Sequence, residues 1–457
     1  MMLWQWVDLL AALNLSEPKD GVGVSGISID SRTLARGDLF VALSGDPSPK
    51  FKTSDAGHRD GHEFISAAED AGAVGLVVSS QVDTKLSALQ VNNTLDALWQ
   101  LARFSRTRMH GRVVAITGSA GKTTARSWLE QLLSAQALTH ASVGSYNNHW
   151  GVPLSLARMP EQAKYGVFEV GMNHAGEIAP LSELVKPNVA LVLNVLPAHI
   201  GQLGSLEAIR QEKLDIRRGL QKNGVLVLPY DLERSDVDDV KSLTFGFNSR
   251  ADVSAVMRLR GESVSVEVTI DGKAYQYELS ICGEHMVLTS VAVIAVAYAL
   301  GADIAKAVSD MTMLSSPEGR GNLHSVSGRV VIDDSYNANP VSMIHAIKSL
   351  SQRPSGSRIA ILGEMLELGE FSDELHQEVV QSCNNVDKVV TVGKCFERVK
   401  EDFGEKLLLH VDSADELDLN LLVEETSSGD TILVKGSNKI FWSNKFVINL
   451  ITKLENC

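Results

Sequence analysis

Cysteine is scarce in this chain. Its four cysteines in 457 residues (Cys282, Cys383, Cys395 and Cys457) show no Cys-x-x-Cys pair. That argues against a disulfide framework or a structural zinc site and for a reducing compartment. Positive charge is also short: 42 Lys and Arg stand against 56 Asp and Glu, a net charge of −14. Such a balance disfavours nucleic acid or an anionic membrane as a partner, so any phosphate binding must come from local geometry. Long apolar runs are missing. The most apolar stretch, Met286 to Leu300, falls short of the roughly 20 residues a helical span needs and suits a buried helix. The N-terminal residues Met1 to Asp8 carry neither the basic region nor the small-residue cleavage site of a signal peptide. A cytoplasmic protein without membrane insertion is expected. There is no internal repeat or low-complexity segment. The apolar fraction, 44%, is that of an ordinary globular protein. The length exceeds one compact core and sets an expectation of about three domains.

What the chain does have is one strongly patterned stretch. Arg112 to Thr117 is a short β-branched run that reads as a buried strand. Gly118-Ser119-Ala120-Gly121-Lys122-Thr123-Thr124 is a glycine turn, and Ala125 to Gln136 carries helical spacing. A strand, a glycine turn and a helix N-terminus gather backbone N–H groups and a positive dipole end at one point, which makes a phosphate site. Lys122 would reach the outer phosphates and the Thr123 hydroxyl would hold Mg²⁺. The glycine spacing is shorter than in the general phosphate loop, because Ile116 stands where the first glycine would be.

The remaining pattern divides into three units and gives an α/β fold class. Residues 1–108 form a small α/β unit, with strands expected over 27–32, 37–43 and 75–79 and a helix over 61–70. Its mixed loop, 45–60, reads as exposed. Asp30-Ser31-Arg32 is the polar motif of this unit, and no nucleophile–base pair accompanies it. Residues 109–322 form the phosphate-loop unit. Its strands, at 165–170, 189–195 and 224–228, are near-continuously apolar, which predicts a mostly parallel sheet covered on both faces. Alternation over 251–281, with a turn at Asp271-Gly272, predicts an antiparallel appendage. Residues 323–457 carry five strands alternating with helices, a doubly wound, Rossmann-like unit with no phosphate loop. Polar residues follow the strands, where ligands sit in such sheets. In the central unit these are Glu169 and His199, both suited to metal work beside a phosphate loop. In the last unit they are Asp333 to Asn339, Gly363 to Met365 and Lys435 to Asn438.

These motifs resemble the Mur ligases, ATP-dependent amide-forming enzymes of peptidoglycan precursor synthesis, and most closely their MurF type. The resemblance covers all three units. Asp30-Ser31-Arg32, Gly37–Leu43 and Asp60–Phe64 are similar to the UDP-binding domain. Gly118–Thr124, Asn147–Pro153, Glu169–Gly171 and the His199 motif are similar to the ATPase centre. Asp333–Met343, Gly363–Gly369 and Lys435–Asn438 carry the type-specific part.

The resemblance implies a ligase that joins D-alanyl-D-alanine to UDP-N-acetylmuramoyl-tripeptide through an acyl phosphate, acting as a monomer. It implies that Gly118, Ser119, Ala120, Gly121, Lys122, Thr123 and Thr124 hold the ATP phosphates, with Arg320. His285 would sit at the nucleotide and Asp334 at its ribose. Two Mg²⁺ ions are implied, one at Thr123 and Glu169 and one at His199 and Lys213, the lysine carbamoylated. Lys122, Glu169, His199 and Lys213 would be the catalytic set. Ser31, Arg32, Asn147 and Asn148 would bind the UDP substrate, and Asn337, Asn339, Lys435 and Ser437 the dipeptide. The family usually has asparagines where this chain has Met286 and Thr289, near the adenine. A folylpolyglutamate synthetase-like ligase would lack the Asp30-Ser31-Arg32 unit. A catalytically weak nucleotide-binding regulator would not consume ATP in response to both substrates.

Overall fold

The computed structural model describes residues 2–44, 60–198, 200–232, 240–260, 263–279, 283–353 and 356–456. Its strands form three sheets. The first holds β1 (Gly26–Ser28), β2 (Asp38–Val41), β3 (Gly75–Val78) and β4 (Ser87–Gln90), in that order and all parallel. β2 and β3 are buried along their whole length, as a sheet covered on both faces requires. The strand expected over 27–32 stops at Ser28. Asp30 turns the chain instead, its Oδ1 accepting the Arg32 N–H at 3.0 Å, an Asx turn. Most of the expected exposed loop, 45–59, lies outside the described residues.

The helix Thr94–Arg108 bridges the first two sheets. Leu98 and Leu101 join the core under the first sheet, whereas Leu95 and Trp99 join the core under the second. One helix therefore belongs to both units, and a cut at 108 would strip side chains from the central core.

The central sheet is built from β5 (Arg112–Thr117), β6 (Thr139–Ala141), β7 (Tyr165–Glu169), β8 (Val189–Val192), β9 (Val225–Pro229), β10 (Lys241–Gly246), β11 (Val253–Arg260), β12 (Ser263–Ile270) and β13 (Lys273–Leu279). The order is β13-β12-β11-β10-β9-β8-β5-β7-β6. Pairing is parallel from β6 through to β11, and only β11, β12 and β13 are antiparallel. The appendage expected from alternation is thus a hairpin grown on the end of the parallel sheet, with β10 as an additional parallel strand. Its turn is at Asp271 and Gly272, with φ of 48° and 73°, the left-handed pair of a tight hairpin. The helices Lys122–Ser134 and Glu284–Ala299 cover one face of the parallel part, and Ile178–Val185 and Leu206–Leu214 the other.

The third sheet holds β14 (Asn322–Val326), β15 (Arg329–Asp334), β16 (Arg358–Gly363), β17 (Lys388–Val392), β18 (Leu407–Val411) and β19 (Thr431–Lys435), ordered β14-β15-β19-β16-β17-β18. β14 is antiparallel to β15 and the rest are parallel. The expected boundary at 322/323 falls inside β14, an edge strand half open to solvent whose mixed polar sequence hid it. Ile200, in the short helix Ile200–Leu203, packs against the core of this third sheet and ties it to the central unit.

Candidate active site

The chain leaves β5 to build β6 and β7 on one side and returns to build β8 on the other. This topological switch opens a crevice beyond the carboxyl ends of β5, β7 and β8. The glycine turn fills it. Gly121 is the N-cap of the helix Lys122–Ser134, with φ of 78°. A Cβ there would also come within 2.9 Å of Leu193 Cδ2, so both conformation and space require glycine. The helix starts three residues before the expected Ala125, which puts Lys122 and Thr123 in its first turn. Lys122 Nζ donates to Gly118 O at 2.7 Å. Burial pushes its ammonium below the usual lysine value, against the pull of Glu169, and Arg320 adds to the push.

A chain of short contacts surrounds Glu169, which is 1% exposed at the end of β7. Thr123 Oγ1 donates to its Oε2 at 2.9 Å, and Asn147 Nδ2 to its Oε1 at 2.7 Å. The Asn147 side chain lies against Gly171, where a Cβ would stand 2.7 Å from Asn147 Cγ. From the far side Arg320 Nη2 donates to Thr123 Oγ1 at 3.0 Å. Carboxylate and hydroxyl oxygens side by side are hard donors that fit Mg²⁺, an ion that takes its remaining positions from phosphate and water. Among the described residues there is no group of three or more His, Cys, Asp or Glu placed to hold a metal. Among the described residues, one carboxylate and one hydroxyl, Glu169 and Thr123, meet at this position.

Lys213 is 2% exposed near the end of the helix Leu206–Leu214. Burial first, and the Lys122 charge second, hold its pKa well below the usual lysine value, with Glu212 opposing. No hydrogen bond or ion pair reaches its ammonium among the described residues. Its neighbour Glu212 is already spent, accepting the Gly176 and Ile178 N–H groups at 2.7 and 2.9 Å. His199 lies outside the described residues.

The third sheet supplies the opposite wall. A cleft of about 560 Å³ separates it from the phosphate loop. Ser119 to Thr124, Asn147 and Glu169 line one side, and Arg320, Asp334, Asn337 and Asn339 the other, with Lys435 and Ser437 beside them. Lys435 Nζ donates to Asp334 Oδ2 at 2.7 Å and to Asn337 O at 3.1 Å. Burial raises the Asp334 carboxyl above the usual aspartate value even with Lys435 beside it. Asn339 caps the helix Pro340–Ser351, its Oδ1 accepting the Ser342 N–H at 2.9 Å. Ser437 Oγ accepts the Leu366 N–H at 2.9 Å and so shapes the 363–369 loop. His285 and Met286 also line the cleft. Burial, then the charges of His345 and Lys435, lower the His285 pKa to about 3, so the ring is neutral. Thr289 turns its hydroxyl inward onto His285 O at 2.9 Å.

The other expected contacts lie elsewhere. Ser31 and Arg32 sit on the turn after β1 and do not line this cleft. The Arg32 side chain is 83% exposed and paired with Asp30 at 2.7 Å. Asn148 is exposed and caps the helix Gly151–Ala157 through the Gly151 N–H at 2.9 Å. Asn147 lines the cleft beside Glu169, whereas Ser31 and Arg32 do not line it. One residue was missed. Asn194 Oδ1 accepts the Ser119 and Ala120 N–H groups at 2.9 and 3.0 Å, and its Nδ2 donates to Ala120 O at 3.0 Å. Its position just past β8, at the ligand end of the sheet, was the available signal.

Comparison with known proteins agrees with this geometry. Residues 116–297 match the Mur ligase middle domain and residues 319–438 the Mur ligase, glutamate ligase domain. The chain is 33% identical to the UDP-N-acetylmuramoyl-tripeptide–D-alanyl-D-alanine ligase of Rickettsia prowazekii over 83% of its own length and 84% of the relative's. It is 32% identical to the ligase of the same name from Escherichia coli, over 91% of both chains. A crystal structure of MurF from Acinetobacter baumannii superposes with a TM-score of 0.86 at 28% identity, covering 98% of this chain and 99% of that one. MurF ligase from Thermotoga maritima in complex with ADP gives 0.79 at 26% identity, over 94% and 98%. The chain is a Mur ligase of the MurF type. The α/β architecture of this Mur ligase, with its parallel central sheet and Rossmann-like third sheet, is that of the MurF structures. Among the described residues, no helix of this MurF-type chain is long and apolar enough to cross a membrane.

Proposed function

We propose that this Mur ligase joins D-alanyl-D-alanine to UDP-N-acetylmuramoyl-tripeptide at the expense of ATP, in peptidoglycan precursor synthesis. One observation carries the reading. The buried Lys122, Thr123 and Glu169 group faces the Asp334–Lys435 pair across a single cleft, so a nucleotide and an acceptor amine share one site. The relatives' names supply the substrates. In the first step the tripeptide carboxylate attacks the γ-phosphorus of ATP in line, giving an acyl phosphate and ADP. Lys122 and Arg320 neutralise charge that develops on the transferring group. In the second step the dipeptide amine attacks the acyl carbon, loses a proton, and phosphate leaves. The wall formed by Asn337, Lys435 and Ser437 receives the dipeptide and keeps water from the acyl phosphate. Ser31 and Arg32 bind the UDP end, remote from the chemistry.

Thr123 and Glu169 would hold one Mg²⁺, which when bound supplies charge neutralisation at the phosphates. His199 and a carbamoylated Lys213 would hold a second ion. Two features of Lys213 support that modification. Carbamoylation by CO₂ needs an unprotonated amine, and burial with Lys122 nearby depresses the Lys213 pKa. The modification also replaces a cation by oxygen donors, which suit a hard metal. The protein acts as a cytoplasmic monomer in this reading.

The test is phosphate release from ATP with UDP-N-acetylmuramoyl-tripeptide, with and without D-alanyl-D-alanine. Sustained release that requires both, with a UDP-pentapeptide product, is expected. Release indifferent to the dipeptide, or sustained by a folate or free glutamate in place of the UDP substrate, contradicts the assignment.

A further inference from the structure

Tyr336 lies on the loop after β15 and touches three separate parts of the molecule. Its hydroxyl is 2.8 Å from Ser145 Oγ, on the central unit's loop ahead of Asn147. The Arg320 guanidinium stacks over its ring, 4.1 Å from the centroid. The ring edge meets Trp442 at 5.3 Å between centroids. Its backbone is pinned as well: Tyr336 N–H donates to Gly319 O at 3.0 Å, and Asn438 Nδ2 donates to Tyr336 O at 3.1 Å.

Followed outward, these contacts close on themselves. Arg320 reaches Thr123, and Thr123 reaches one oxygen of Glu169. Ser145 leads by a closed turn, Asn147 N–H to Ser145 O at 2.8 Å, to Asn147, which reaches the other oxygen of Glu169. The ring Glu169–Thr123–Arg320–Tyr336–Ser145–Asn147 therefore crosses twice between the central and third units, at Arg320–Thr123 and at Tyr336–Ser145, and the Tyr336 ring under Arg320 couples the two crossings. A guanidinium on a flexible stem gains direction from an aromatic face beneath it. A hydroxyl pair at 2.8 Å fixes the relative position of the loops that carry it.

We propose that Tyr336 is a positioning residue that registers the docking of the third unit at Glu169, by seating Arg320 on Thr123 and anchoring the Asn147 loop. The proposal rests on the ligase reading of the cleft. It assigns Tyr336 no contact with the reacting atoms.

The experiment compares Tyr336→Leu, Tyr336→Phe and Ser145→Ala with the full-length wild type, by steady-state kinetics and by calorimetric titration with Mg²⁺ and a non-hydrolysable ATP analogue. Tyr336→Leu removes both the ring under Arg320 and the hydroxyl. It should lower kcat by roughly 10²-fold and weaken the analogue several-fold, with KM for the UDP substrate unchanged. Tyr336→Phe keeps the ring, so it should lose only about three- to fivefold in kcat, and Ser145→Ala the same. Their double variant should lose no more than either single one, because both remove one contact. Multiplied losses in the double variant overturn the proposal, as does a folded Tyr336→Leu with wild-type kcat and analogue affinity. If Tyr336→Leu does not fold, the Tyr336→Phe and Ser145→Ala pair decides alone. A wild type that releases no dipeptide-dependent phosphate sinks the ligase reading instead, and the analogue titrations of the same variants then decide the role of Tyr336.

Discussion

Lys122 and Arg32 are both cations just beyond the end of a parallel strand, and their surroundings are opposite. The Lys122 ammonium is buried, bonded to its own loop at 2.7 Å, with Glu169 and Arg320 close enough to shift its pKa. The Arg32 side chain is 83% exposed and pairs with Asp30, two residues away. At the phosphate end the protein's own groups already bond to one another, with Lys122 on Gly118 O and Thr123 between Glu169 and Arg320. At the first unit, among the described residues, the cation is held by a surface pair that water and salt screen. The contrast separates two ways of using charge. In the proposed function one region stabilises a reaction, and the other recognises a handle on the substrate. A change in the first should fall on kcat, and a change in the second on KM.

The largest effect expected is at Lys122. Lys122→Ala should cost on the order of 10²-fold or more in kcat at saturating ATP while leaving the melting temperature near that of the wild type. Near-normal turnover would place the γ-phosphate elsewhere. Lys213→Ala comes next, with a loss of similar order, and short carboxylic acids added to the variant should restore part of the rate by filling the vacated space with an oxygen ligand. Full activity in the unrescued variant would remove the carbamate from the account. Arg32→Ala should act on KM alone, raising it for the UDP substrate by about tenfold with kcat unchanged. A fall in kcat there would break the division between the two regions.

The effect furthest from the chemistry is on stability. Folding holds His285 neutral, its pKa about 3 against an ordinary 6.5. Between those values the unfolded chain binds the extra proton. The stability contribution is therefore complete above about pH 6.5 and is lost as the pH falls toward 3, at up to about 1.4 kcal/mol per unit. Burial depresses His140, His345 and His376 in the same direction. Urea unfolding at pH 7 and pH 5 should show the loss, and His285→Gln should flatten it. An equal slope in the variant assigns the pH dependence to the other histidines.

Most strands and the phosphate loop were legible because local sequence determines them. β5 and β17 span the residues that the apolar runs mark, since a strand buried on both faces must be apolar throughout. The Asp271-Gly272 turn was equally clear, because few residue pairs accept its dihedral angles. What could not be read depends on tertiary partners. β14 is an edge strand with alternating exposure, and the helix Thr94–Arg108 serves two cores at once. The role of Asn194 depends on a loop 74 residues away in sequence. The depressed pKa of Lys213 could not be read either: beside Glu212 and Asp215 it has the pattern of a solvated helix lysine, and only the fold shows that it is buried near Lys122. Asn147 and Asn148 are adjacent and of one kind, yet one bonds Glu169 and the other caps a helix. Sequence spacing has no term that separates them.

The central claim is that the cleft activates a carboxylate by phosphoryl transfer from ATP, and an isotope decides it directly. UDP-N-acetylmuramoyl-tripeptide labelled with ¹⁸O in its terminal carboxylate would be ligated to D-alanyl-D-alanine, and the released phosphate examined by mass spectrometry. If the carboxylate attacks phosphorus, one labelled oxygen leaves with each phosphate when the amide forms. Unlabelled phosphate, with full label retained in the water or the peptide, would contradict the acyl phosphate and with it the functional reading of the cleft.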